Sequence, residues 1–400
     1  MTFNVMFTSL FILLGVFALG DVLGISTKSR LSSVFVALMT FLILFMTGIV
    51  PHDIVARARF DGLASWALPF MVFHMGTSLS IEQMKREWRI VLGAAYSMAA
   101  AAIGVIALWP ILGREGVIVT IPVISGGIVS TGIMAPAARA QGFYMAASLA
   151  VLIFIVKRFV GTAIASYNAR AAAKIFIEEY REKKAQGITL RVEDEGKEKS
   201  ENSTVVKPQL WQKVEKYWTS YIVLGVCAMF VFISSILGQI TPFIPMSVWA
   251  LFLGIIAAAL GLVPPNIMNK GICVGLFLVG AFASLIPSIA DITLEGLLTL
   301  GLQMAMIFAA VLVSLFVFMG LVPIWKFLGS RNLAAGVAMS QLLAFPATFL
   351  IVTEVAIGLS ENEEEKQYLI KKLSPSFVVS GFVSVTTLSV IVAGVLVAFL

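Results

Sequence analysis

Long apolar runs, parted by short charged loops, set the pattern of this chain. Runs fall at about 3–24, 32–50, 63–80, 90–112 and 143–168, and again at about 218–238, 246–263, 271–289, 296–322 and 376–400. Each has roughly the ~20 residues that a helix needs to cross a bilayer. The runs are continuous rather than alternating, which excludes a strand barrel. Two further apolar segments, about 117–138 and 333–357, are interrupted by glycine, proline and hydroxyl residues. The pattern predicts an all-α polytopic membrane protein. The first run has neither a basic leader nor a small-residue cleavage site, so it reads as a span rather than a removed signal.

Composition agrees. The chain has 400 residues, 59% of them hydrophobic and 12% charged, with a mean hydropathy of +0.98. A soluble domain of this size has no way to hide so much apolar surface. The pI near 9.3 does not point to nucleic acid, because the basic residues cluster between spans, as membrane orientation requires. The two cysteines, Cys227 and Cys273, lie far apart in apolar runs and suggest neither a disulfide framework nor a metal site.

Lysine and arginine choose a topology. If both interrupted segments enter and leave on one side, Lys28, Arg30, Lys85, Arg86, Arg89, the 169–216 loop, Lys270, Lys326, Arg331, Lys366, Lys371 and Lys372 all face the cytoplasm. Arg57, Arg59, Arg114 and Arg139 remain outside, with both termini. Each half, 1–168 and 217–400, then holds five spans and one re-entrant hairpin. Five is odd, so the halves are inverted. A faint repeat supports this: "SVFVALMTFLILFMTGIVPHDI" (33–54) aligns with "SVWALFLGIIAAALGLVPPNI" (247–267). Inverted repeats with broken segments at matching places point to a secondary transporter in the cell membrane. The mixed-charge linker 169–216 reads as a cytoplasmic tether whose first part extends the fifth span.

The interrupted segments carry the candidate chemistry. Irregular backbone at membrane depth survives only where protein buries it or water reaches it. A break at Gly126-Gly127 frees N–H and C=O groups, and Ser125, Ser130 and Thr131 add hydroxyls. Carbonyls and hydroxyls suit a small hard cation, and free N–H groups suit a carboxylate. Close helix packing by small residues is the competing account. In the second segment Ser340 and Gln341 precede Pro346, and Thr348, Thr353 and Glu354 follow. Glu354 either faces a cavity and takes part in ion coupling or sits near enough to the membrane surface to reach water. Arg158 suits an anionic substrate, since guanidinium forks to carboxylate. The neighbouring Lys157 could serve the same substrate; for both residues the competing account is snorkelling towards the cytoplasmic headgroups, or a span that ends at Val156, and that account is preferred for Lys157. His74 is either a proton relay or a hydrogen-bonded packing residue.

The layout resembles the sodium/glutamate symporter family. That family carries "SGGHGT" in its first hairpin; here "SGGIVSTG" (125–132) keeps Ser125, Gly126 and Gly127, with Thr131-Gly132 offset, and has Ile128 in place of the histidine. "HMGTSLSIEQMKREWR" resembles the family's third span. "AMSQLLAFPATF" keeps a Pro-Ala-Thr ending without the glycines and histidine. The resemblance implies two inverted five-span repeats, sodium as coupling ion with no other cofactor, and a homodimer. Substrate contacts are then expected from Ser125, Gly126, Gly127, Ser130, Thr131, Arg158, Gln341 and Thr348, and ion coupling from Ser340, Thr353, Glu354 and His74. The substrate expected is a small organic anion, an amino acid or a carboxylate. Other classes fare worse. His52 and His74 are the only histidines, and no Gly-x-Ser-x-Gly, His-Glu-x-x-His or Walker-type motif appears, so neither an embedded hydrolase nor ATP-driven transport is expected. Proton coupling and a non-transporting sensor remain alternatives.

Overall fold

The computed structural model describes residues 4–26, 33–79, 81–186, 210–241, 244–343 and 347–400. Every regular element among them is helical. The first half runs α1 (Val5–Ser26), α2 (Ser33–Met46), α3 (Ile54–Arg57), α4 (Asp61–Thr77), α5 (Ile81–Arg86), α6 (Trp88–Ile106), α7 (Trp109–Ser125), α8 (Ile128–Ala140) and α9 (Tyr144–Ala185). The second runs α10 (Leu210–Lys213), α11 (Ser220–Ile240), α12 (Met246–Ala259), α13 (Ile267–Lys270), α14 (Val274–Ala283), α15 (Pro287–Ala290), α16 (Leu294–Leu315), α17 (Ile324–Leu328), α18 (Arg331–Leu343), α19 (Ala347–Leu359), α20 (Glu363–Ser374), α21 (Ser380–Phe382) and α22 (Ser389–Leu396). Residues 187–209 of the linker, and Pro346 in the second interrupted segment, lie outside the described residues.

Among the described residues six helical stretches are long and apolar enough to cross a membrane: Val5–Gly24, Trp88–Ile106, Tyr144–Ala185, Ser220–Ile240, Leu294–Leu321 and Glu363–Phe399. This is a membrane-type helical architecture. The other four expected spans are shorter. α2 and α12 have 14 residues each, about 21 Å against the ~30 Å of a hydrocarbon core. Both stop at one kind of turn. Gly48 and Gly261 take φ of +69° and +66°, and Arg59 and Ile272, equally far downstream, both take φ of +55°. The hydrogen bonds match as well: Val50 N–H and Val263 N–H donate to Leu44 and Ala257, and Phe60 N–H and Cys273 N–H to Val55 and Met268. The alignment read from sequence holds at "GIVPHDI" and "GLVPPNI", but the helices align with Ser33 opposite Met246, not Ser247.

Small residues let the layers close. A Cβ on Gly76 of α4 would lie 2.4 Å from the Leu251 carbonyl oxygen of α12, and a Cβ on Gly254 of α12 would lie 2.4 Å from that of Phe73. α6 and α16 meet at Gly104, where a Cβ would come within 2.8 Å of the Ala310 carbonyl oxygen. Such approaches are how apolar helices pack when lipid is as apolar as they are.

α9 is 42 residues long, about 63 Å. Its apolar part gives way to charge after Tyr167, so its last turns extend beyond any bilayer. There Arg181 donates twice to Glu365 of α20, at 2.9 Å each, and Lys184 pairs with Glu364 at 3.0 Å. α20 starts from an Asn362 cap, whose side chain accepts from Glu365 N–H, while Glu365 accepts from Glu361 N–H. This is a reciprocal capping arrangement. The Arg181 hydrogen bonds hold the Glu365 carboxyl below the usual carboxylate range. The helix that follows is loosened by π-turns at Pro375–Val379 and Val383–Leu388.

Candidate functional site

α7 ends at Ser125 and α8 begins at Ile128, with Gly126 and Gly127 extended between them. Leu112, Glu115 and Gly116 of α7 share a cavity wall with Gly142 to Ala146, just past the end of α8. The pair therefore turns back on itself at the two glycines. The first of them has no room for a side chain, and the second has little. A Cβ on Gly126 would lie 1.8 Å from Ser130 Oγ and 2.4 Å from the Pro122 carbonyl oxygen, and one on Gly127 would lie 2.7 Å from Val385 Cγ1.

A helix end leaves its last carbonyls without partners and carries partial negative charge. At α7 these carbonyls are taken by Lys157 of α9. Its ammonium donates to Val123 O at 2.9 Å, to Ile124 O at 3.2 Å, and to Gly126 O. Lys157 is 3% exposed. The sequence reading had it snorkelling or lying beyond a span ended at Val156; instead α9 runs on unbroken and the side chain turns inward.

The start of α8 is arranged differently. Ser130 and Thr131 both donate their hydroxyls to Gly127 O, at 3.1 and 2.9 Å. They close the first turn of α8, and neither is among the residues lining the cavity described below. Ser125 reaches across the molecule: its hydroxyl donates to Gln341 Oε1 at 2.7 Å, with both residues fully buried. Gln341 Nε2 donates in turn to Ala338 O and Ser97 O. Ser125 and Gln341 thus lock the end of α7 to α18 behind the cavity wall. One turn along α9 from Lys157, Gly161 packs against Leu342 and Leu343 at the end of α18. Both interrupted segments therefore meet the middle of α9.

A cavity of about 460 Å³ opens at this meeting point. Gly126, Gly127 and Ile128 of the first break line it, with Leu342 and Leu343 beside the second, Lys157 and Arg158 of α9, His74 and Ser78 of α4, and Asn266, Asn269 and Thr386. Phenylalanine and aliphatic side chains form the remaining wall. No aspartate or glutamate is among the lining residues, and the Arg158 guanidinium has no acidic partner among the described residues. Sequence reasoning missed Asn266, Asn269 and Thr386, which the fold brings from the repeated turn and from a π-turn. His74 Nδ1 accepts from Met268 N–H at 3.4 Å, and Ser78 donates to Asn266, so the end of α4 is tied to that turn.

The remaining candidates stand apart from the cavity. Ser340 is buried and donates to Gly336 O. Thr348 Oγ1 is buried with no hydrogen-bond partner among the described residues, and lies beside Ser340 around Gly381. Thr353 donates to Phe349 O within its own helix. Glu354 is on the exposed side of α19 and does not line the cavity. Among the described residues no group of three or more His, Cys, Asp or Glu side chains is placed to hold a metal ion. A scan against protein-family models gives no match for this chain and neither does a search of curated proteins, so the reading of this site rests on its geometry.

Proposed function

We propose that this protein is a secondary active transporter that carries a small organic anion, an amino acid or a carboxylate, across the cell membrane by alternating access. The observation that carries the reading is the cavity itself. It touches the break between α7 and α8 and the end of α18, it holds Lys157 and Arg158, and no carboxylate is among its lining residues. Lys157 is engaged by backbone carbonyls, which leaves the Arg158 fork and the N-terminal end of α8 to receive negative charge. The apolar walls suit the carbon skeleton of such a substrate.

In this reading the two halves are inverted repeats, each with five spans and a re-entrant hairpin. The shared turn after α2 and α12, and the broken pairs α7–α8 and α18–α19 at matching places, support it. The charged end of α9 lies in the cytoplasm under the distribution of lysine and arginine. Sodium is the coupling ion, as in the sodium/glutamate symporters that the chain resembles at "SGGIVSTG". Ser340 and the unpartnered Thr348 hydroxyl are the oxygen ligands offered to it.

The test is uptake of labelled dicarboxylates and acidic amino acids into proteoliposomes under a sodium gradient, a proton gradient or neither. Uptake driven by sodium supports the full reading. Uptake driven by protons alone keeps the carrier and removes sodium. If no anion moves under any gradient or voltage, the transporter reading fails. Arg158→Gln is expected to weaken anion binding by at least about tenfold, the worth of one charge-assisted contact, as read by ligand-induced thermal stabilisation. Unchanged affinity would remove Arg158 from the site.

A further inference from the structure

The end of α7 has the form of a cation site. Carbonyl oxygens of Val123, Ile124 and Gly126 converge on one point at the negative end of a helix, buried from solvent. Oxygen cages of this kind, built from the C-terminal ends of broken helices, hold small monovalent cations. Here the point is taken by the Lys157 ammonium. No carboxylate shares the cavity to neutralise it, so backbone dipoles alone offset its burial. The glycine at 126 is part of the cage, since a side chain there would collide with Ser130 and Pro122.

We propose that the first helix break is a monovalent-cation site whose occupant is covalently tethered: the Lys157 ammonium stands where a free ion would bind. A tethered cation cannot be released to either side of a membrane. The first break then contributes fixed positive charge and closure of the α7 end, and no exchangeable ion. Any free coupling ion has to be held elsewhere, and the buried Thr348 hydroxyl, without a partner among the described residues and beside Ser340, is one place for it. The proposal goes beyond the transport reading, and its readout is protein stability, so it is decided whether or not an anion is carried.

The experiment removes the tether and supplies the ion. Wild-type protein and Lys157→Ala are purified in choline chloride, and thermal stability is followed as choline is replaced by methylammonium or sodium at constant ionic strength. The variant should melt lower than wild type in choline and regain stability saturably in methylammonium, while wild type shows no such response to methylammonium. A variant that responds to methylammonium and sodium no more than to choline overturns the proposal. So does a wild-type response to methylammonium as large as the variant's. If Lys157→Ala aggregates in choline, it is extracted in methylammonium chloride instead: monodisperse protein there supports the tethered site, and aggregation in both salts overturns it.

Discussion

At Gly126 the room for a side chain is already taken by Ser130 Oγ and by the Pro122 carbonyl. Gly126→Ala should therefore cost more than about 2 kcal/mol, in the range of overpacked cores, and show as a lower melting temperature. Gly127 meets only a methyl group of Val385. Gly127→Ala should be milder, and the double variant with Val385→Ala should recover most of the loss. Equal costs at the two glycines, or no recovery, would mean that the break relaxes more freely than its contacts imply. "SGG" was legible in the sequence as a break because Pro122 precedes it and Pro136 follows it; a glycine pair alone would suit close helix packing as well. What the hydroxyls of Ser130 and Thr131 do was not legible. A serine or threonine at the start of a helix either faces a cavity or closes its own first turn, and only coordinates decide between them. Lys157 and Arg158 are adjacent, so on a helix they point about 100° apart. One therefore turns to the α7 carbonyls while the other faces the open cavity.

Among the elements, the turn shared by α2–α3 and α12–α13 is the clearest trace of a common plan. It places Ile272, a β-branched residue, at φ +55°, a conformation that costs an ordinary residue about 1–2 kcal/mol. Ile272 is 91% exposed, so little packing offsets the cost. Ile272→Gly should stabilise the protein by about 1 kcal/mol, seen as a higher melting temperature in detergent; a lower one would show that the side chain packs against something outside this chain. The repeat could be read because turns depend on local glycine, proline and asparagine chemistry, and "GIVPHDI" and "GLVPPNI" keep it. The four short helices could not be read as such. Their runs are apolar past the point where the turn ends them, and hydropathy alone does not mark where an apolar chain stops being helical. Which of the two readings of Glu354 applies was not legible for a related reason, since periodicity along α19 does not say which face its neighbours cover.

At the scale of the molecule, α9 and α20 are bound together outside the apolar layer by Arg181 and Glu365. Because the Glu365 carboxyl is held below its ordinary value, this contact adds stability above the unfolded carboxylate pKa of about 4.3 and loses it as pH falls through the lower folded value. The melting-temperature gap between wild type and Glu365→Gln should thus be constant near neutrality and shrink once pH falls below the ordinary carboxylate pKa of about 4.3; a gap undiminished by acid would deny the pairing its role. The same contact gives α9 a mechanical meaning. The rod touches the α7–α8 break and the end of α18 about a third of the way along, at Lys157 and Gly161, and runs on for some 28 residues from Lys157 to Ala185, about 42 Å of helix. If it pivots by about 10° at the cavity, its far tip sweeps about 7 Å over that length, carrying the start of α20 with it. A movement too small to resolve around a bound anion becomes a displacement that a pair of spin labels can read, one on the tip of α9 and one on the far end of α6. The long helix is a pointer whose dial lies beyond the apolar layer.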